Sequence, residues 1–140
     1  DVERALHERD RYASELCDWV VQHESDALAP LLFATSDPET LQRIQQQYGA
    51  AHSSEAVEQL FAAVVRELQQ RGWQRFIVAG GETSGVVAQT LGIDAFHIGP
   101  VISPGVPWVR ALGQPVSLAL KSGNFGDENF FARAQTEFVV

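Results

Sequence analysis

The chain has 140 residues, of which 45% are hydrophobic and 20% charged, with a formal net charge of −8 at pH 7 and a pI near 4.8. This is ordinary globular composition, enough for about one domain that buries roughly 70% of its unfolded surface. The acidity argues against a nucleic-acid backbone as ligand, no apolar run reaches the length of a membrane span, and the polar start Asp1-Val2-Glu3-Arg4 is not a signal peptide.

The chain contains no methionine and reads as a piece of a longer protein, lying in the cytoplasm. At its start, Val2, Ala5, Leu6, Ala13, Leu16, Cys17, Val20 and Val21 recur at helical spacing, which predicts one amphipathic helix. Cys17 falls on the apolar face of that helix and reads as a small buried hydrophobe, with a reactive thiol as the alternative. As the single cysteine it cannot form an internal disulfide, which suits a reducing compartment.

After Pro30, the run Leu31-Leu32-Phe33-Ala34-Thr35 predicts a buried strand. Ser36-Asp37-Pro38-Glu39 has the chemistry of a helix start, and that helix should end near Gly49. A continuous stripe of Ala56, Val57, Leu60, Phe61, Val64, Val65 and Leu68 predicts the next helix, capped by Ser53 or Ser54 and closed by Gly72.

The strand Arg75-Phe76-Ile77-Val78-Ala79 then leads into a glycine-rich loop, Gly80-Gly81-Glu82-Thr83-Ser84-Gly85, and a helix from Val86. A further strand is expected at Ala95-Phe96-His97-Ile98, where His97 reads as a satisfied structural histidine. Residues 99–108 carry Pro100, Pro104 and Pro107 and read as an ordered loop or edge segment, too poor in donors for a central strand. The strand Val116-Ser117-Leu118-Ala119-Leu120-Lys121 opens a second glycine-rich loop, Ser122-Gly123-Asn124-Phe125-Gly126, followed by a helix from Asp127. The order β–α–α–β–α–β–β–α predicts a layered α/β domain with a mostly parallel or mixed central sheet flanked by helices. No internal repeat or linker divides it, so residues 1–140 read as one domain.

The paired loops carry the functional signal. Backbone N–H groups at a helix start lack intrahelical partners and collect anions, and glycine lets an anion approach closely. If the two strands are parallel neighbours, both loops sit at the carboxyl edge of one sheet, where open α/β sheets bind ligands. The first loop is neither a Walker loop nor a dinucleotide fingerprint, because no Gly-Lys-Ser/Thr closes it and Gly80 and Gly81 are adjacent.

Thr83 and Ser84 can cap the helix or bond phosphate oxygens. Glu82 could hold Mg²⁺ through water, accept from a ribose hydroxyl, or merely complement the helix dipole for about 0.3–1 kcal/mol. Lys121, at the end of a buried-looking strand, needs an anion, either phosphate or an internal Asp or Glu. Asn124 tolerates a left-handed turn, Asp127 reads as the cap of the last helix, and Trp108 reads as a loop anchor, with base stacking as the alternative. His7, His23, His52 and His97 lack metal spacing. No residue is assigned as a metal ligand or catalytic base.

Three segments together resemble the C-terminal nucleotide-binding domain of the four-carbon acid sugar kinases. They are Val78-Ala79-Gly80-Gly81-Glu82-Thr83-Ser84-Gly85, Pro104-Gly105-Val106-Pro107-Trp108, and Leu120-Lys121-Ser122-Gly123-Asn124-Phe125-Gly126. The resemblance runs from about Leu31 to the end, and the first helices share it only generically. It implies ATP- and Mg²⁺-dependent phosphorylation of a sugar acid such as erythronate, threonate or 3-oxo-tetronate. It implies ATP contacts at Gly80, Gly81, Glu82, Thr83, Ser84, Gly85 and Gly123, extending to Lys121 and Asn124. It also implies an N-terminal half that binds the sugar acid, to which nothing here corresponds, and a glycine-serine ATP-binding segment that is likewise missing. The piece alone is therefore expected to be inactive. The alternative is a non-catalytic nucleotide- or partner-binding regulatory module that keeps the fold. No nucleic acid or membrane partner is expected, and self-association into a homo-oligomer stays open.

Overall fold

A computed structural model describes residues 1–35 and 37–138. The first helical stretch is divided at Glu8 into α1 (Val2–His7) and α2 (Arg9–Gln22), where periodicity predicted one helix. Arg4 spans the break, with Nε on Glu8 at 2.5 Å and a terminal nitrogen on Glu15 at 2.6 Å. Helix α3 (Pro38–Tyr48) begins as expected. The Asp37 carboxylate accepts the Thr40 N–H at 2.9 Å, and Pro38 occupies the first turn, where its missing N–H costs nothing. Ser36, which belonged to the expected start, lies outside the described residues.

Gly49 alone separates α3 from α4 (Ala50–Gln70), so α4 begins before the expected serine caps. Ser53 is instead buried in its first turn, its hydroxyl donating back to the Gly49 carbonyl at 2.7 Å. The predicted stripe packs as expected, with Ala56, Leu60, Val64 and Leu68 buried in the main core. Cys17 meets it from α2, fully buried, with Sγ 3.6 Å from the Val64 carbonyl.

The sheet holds β1 (Arg75–Ala79), β2 (Phe96–Ser103), β3 (Val106–Ala111) and β4 (Ser117–Lys121), in the order β1-β4-β3-β2. Only β1 and β4 run parallel; β2 with β3 and β3 with β4 are antiparallel, so the sheet is mixed, not mostly parallel. Side chains alternate between its faces. Phe76, Val78, Val109 and Leu118 face the core built by α4 and by α5 (Gly81–Thr90). Trp108 and Ala119 face Phe130 and Ala134 of α6 (Phe130–Thr136).

Two expectations need correction here, the strand after Pro30 and the place of His97. The run Leu31-Leu32-Phe33-Ala34-Thr35 forms no strand. Leu32 packs on the core, but Leu31 is 56% and Phe33 74% exposed, and an open cleft separates the segment from β1. An apolar run does not make a strand without a ladder to join.

Of the two readings for residues 99–108, an ordered loop or an edge segment, the edge segment holds for residues 99–103, and residues 106–108 belong to an interior strand. β2 continues through Pro100 on the sheet edge, and β3 carries Pro107 into an interior strand. This is tolerated because Pro107 pairs with Val101 of the edge strand, whereas pairing with β4 begins only at Trp108, so no β4 rung needs the missing N–H. His97, on that edge, is exposed and paired in register with Arg110; it is not a buried structural histidine.

Candidate functional site

The parallel pairing of β1 with β4 sets Ala79 beside Lys121, so the turns that follow the two strands emerge side by side. The Gly80 N–H donates to the Lys121 carbonyl at 2.7 Å, sewing the turns together. Gly80 turns the chain from strand to helix at φ +111°, a conformation that disfavours any side chain. A Cβ on Gly81 would stand 3.3 Å from Ser122 Oγ, so the second turn rests directly against the first turn of α5.

Helix α5 starts at Gly81, earlier than expected, and the first loop shrinks to Gly80 alone. No side chain caps it, and among the described residues the N–H groups of Gly81, Glu82 and Thr83 donate to no protein acceptor. Such groups together attract an anion. Thr83 is half-buried, its Oγ1 close over Gly80.

Ser84 and Gly85 are placed differently from the three free amides. Ser84 is buried and its hydroxyl turns back to the Val78 carbonyl at 3.4 Å, while Gly85 sits one turn into the helix with its N–H in the helical ladder. The second loop also differs from expectation, because it does not open directly into a helix. A turn closes from Phe125 N–H to the Ser122 carbonyl at 3.3 Å, and α6 begins only at Phe130.

Among the described residues only glycines take positive φ, so Asn124 does not use the left-handed region allowed to it; Gly123 and Gly126 do. Asp127 does not cap α6. One of its oxygens accepts the Asn129 N–H at 3.0 Å and the other meets Arg133 at 2.8 Å. Lys121 pairs with no carboxylate among the described residues; its ammonium bends onto the Gly123 carbonyl at 2.7 Å, inside the second loop.

Trp108 is an anchor, buried to 1% exposure, with its indole N–H donating to the Ala134 carbonyl at 3.0 Å. The guanidinium of Arg75 lies over its ring at 5.0 Å. Base stacking on Trp108 is excluded by this burial.

Glu82 is exposed on the first turn of α5, and Glu58, on the neighbouring α4, shares its surroundings. Burial pushes the Glu58 carboxyl up from its ordinary range, and the charge and hydrogen bonding of Glu82 push it further the same way. Sequence reading missed Glu58, which lies in a helix far along the chain and carries no local motif. It also missed Arg133, for the same reason.

Several known proteins are similar to this chain. A family model described as the nucleotide-binding C-terminal domain matches residues 1–131. The 3-oxo-tetronate kinase of Pectobacterium atrosepticum is 68% identical over a region covering 100% of this chain and 34% of that protein. The 3-oxo-tetronate kinase of Salmonella typhimurium LT2 is 61% identical, again over 100% of this chain and 34% of that protein. A solved structure from Salmonella typhimurium LT2, provisionally described as that of a tRNA synthase, is 60% identical and superposes with a TM-score of 0.91 over 99% of this chain and 34% of its own. The chain thus spans about a third of the length of the curated relatives it matches. It belongs to the nucleotide-binding C-terminal domain family, the C-terminal domain of the four-carbon acid sugar kinases.

Proposed function

We propose that this chain is the ATP-binding domain of a cytoplasmic two-domain kinase that phosphorylates a four-carbon sugar acid of the 3-oxo-tetronate, erythronate or threonate type. The observation that carries the reading is the meeting of the two glycine turns. The free amides of Gly81, Glu82 and Thr83 open beside Ser122, and the Lys121 ammonium lies on the carbonyl of the next residue, Gly123. Phosphoryl transfer asks a protein mainly for positioning and charge stabilisation, and amides at a helix start supply both to a polyphosphate. The names of the curated relatives support the same chemistry.

Mg²⁺ binds through one or two carboxylates, several waters and the phosphates themselves. Glu82, with Glu58 beside it, offers that donor set, and a cation between them would relieve the repulsion that adds to burial in raising the Glu58 carboxyl. When bound, the ion would neutralise charge on the phosphates. This chain's part is to orient them through Gly81, Glu82, Thr83 and Gly123. The sugar acid and its proton acceptor belong to the remaining domain. A tRNA partner fits poorly with a net charge of −8.

Isothermal calorimetry with Mg-ATP tests the reading, with saturable heat expected from this chain alone. No heat at millimolar nucleotide would overturn it. Mixing the chain with ATP and a four-carbon sugar acid should yield no phosphorylated product, because the acceptor domain is required.

A further inference from the structure

We propose that Phe125 and Arg133 are positioning residues that lock residues 122–126 onto the tip of the β2–β3 hairpin and thereby hold Gly123 in its nucleotide-competent place. The proposal rests on the nucleotide reading above. It gives a task to the Pro104-Gly105 segment, which that reading leaves unused.

The tip of the hairpin, Pro104-Gly105, lies between the end of β2 at Ser103 and the start of β3 at Val106. Gly105 has φ +80°, and a Cβ there would stand 2.8 Å from Cε1 of Phe125, so the phenyl ring lies against the bare backbone. Phe125 is 50% exposed. Core burial therefore does not account for the ring, and the seat on Gly105 does.

Arg133 supplies the second point of attachment. One terminal nitrogen meets Asp127, directly after the loop, at 2.8 Å. The other donates to the Ile102 carbonyl at 2.8 Å and to Ser103 Oγ at 3.1 Å, on the last residues of β2. Glu137 lies 3.9 Å from Nε. The Asp127 side chain is 56% exposed, so this ion pair contributes little to stability. Its value is directional, because a planar guanidinium holds its donors in a rigid fork, whereas an ammonium is a point charge whose donors rotate. With Gly123 and Gly126 in it, the loop has much conformational freedom to lose, and an external hold reduces that cost on binding.

A loop that spends only a fraction of its time in the competent arrangement weakens apparent affinity by that fraction. The test is amide hydrogen exchange over residues 122–126, with Mg-ATP calorimetry and a melting temperature, on the wild-type chain and its variants. Phe125→Ala and Arg133→Ala should each raise loop exchange and weaken Mg-ATP binding by about tenfold. Arg133→Lys should not substitute for arginine, and millimolar guanidinium should restore part of the affinity of Arg133→Ala, which a merely stabilising role would not allow. Gly105→Ala combined with Phe125→Ala should be no worse than the poorer single variant within about twofold, since both break one contact. Because Phe125 is half exposed, its variant keeps the test decisive if Arg133→Ala does not fold. Unchanged loop exchange overturns the lock whatever the nucleotide does. Raised exchange with unchanged affinity overturns the positioning role. A wild-type chain that binds no Mg-ATP overturns the nucleotide reading and this role with it, and the exchange data then still decide whether the lock exists.

Discussion

The N–H of Gly80 and the carbonyl of Lys121 meet at 2.7 Å, one bond beyond the last register pair of β1 and β4. Through it, turns separated by a helix, a hairpin and a strand come to lie side by side.

Crowding between the two turns is measurable. Gly81→Ala would set a methyl 3.3 Å from Ser122 Oγ, and Mg-ATP affinity should fall several-fold as the second turn is pushed away. Adding Ser122→Gly removes the obstructing hydroxyl and should recover most of the loss. Calorimetry on the single and double variants checks this, and simple additivity would refute the contact.

Trp108 holds α6 to the sheet through its buried ring and its bond to the Ala134 carbonyl. Trp108→Phe removes the donor and leaves that carbonyl without it, a loss of about 1–3 kcal/mol before any cavity is counted. Urea denaturation followed by circular dichroism reads the difference directly.

Adjacent residues in the segment after Pro30 should respond differently. Phe33 is 74% exposed, so Phe33→Ser should change stability by no more than about 0.5 kcal/mol. Leu32 packs against the core, and Leu32→Ala should cost about 1 kcal/mol or more. Equal, large losses in both would mean the segment is a buried strand after all.

The Cys17 thiol is pushed up to about 11, first by burial and then by the charge of Glu67. At pH 8 it should resist alkylation in the folded protein and react once denaturant unfolds the chain. Mass spectrometry after an iodoacetamide pulse across a urea series should show labelling that tracks unfolding, with no reactive population beforehand.

Asp37 caps α3, and the Thr40 N–H holds its carboxyl below the usual carboxylate range. A folded-state value lower than the unfolded one means the cap stabilises the protein above the unfolded value, with the benefit lost as pH falls through the folded one. Asp37→Ala should therefore lower the melting temperature by a few degrees at pH 7, with the deficit shrinking towards about pH 2. A deficit of equal size at both pH values would rule out the ionised cap.

What was legible in the chain was local. β1 was read to the residue, because its alternation is bounded by Gln74 on one side and Gly80-Gly81 on the other. The long stripe of α4 and the Asp37-Pro38 start of α3 announced themselves through spacing and cap chemistry, which act within a few residues. Cys17 and Trp108 were placed correctly in the core on the same basis.

Long-range pairing settled the rest. Leu31-Leu32-Phe33-Ala34-Thr35 has strand composition but no ladder, and Pro107 sits in an interior strand because its neighbour's register spares the missing donor. Ser84 turns its hydroxyl towards the Val78 carbonyl because α5 begins at Gly81. Glu58, Phe125 and Arg133 acquired their partners only once distant elements packed together. Propensity and capping depend on neighbours in sequence and can be read from it. Which backbone groups find partners depends on contacts between segments far apart, and no short window of residues contains that information.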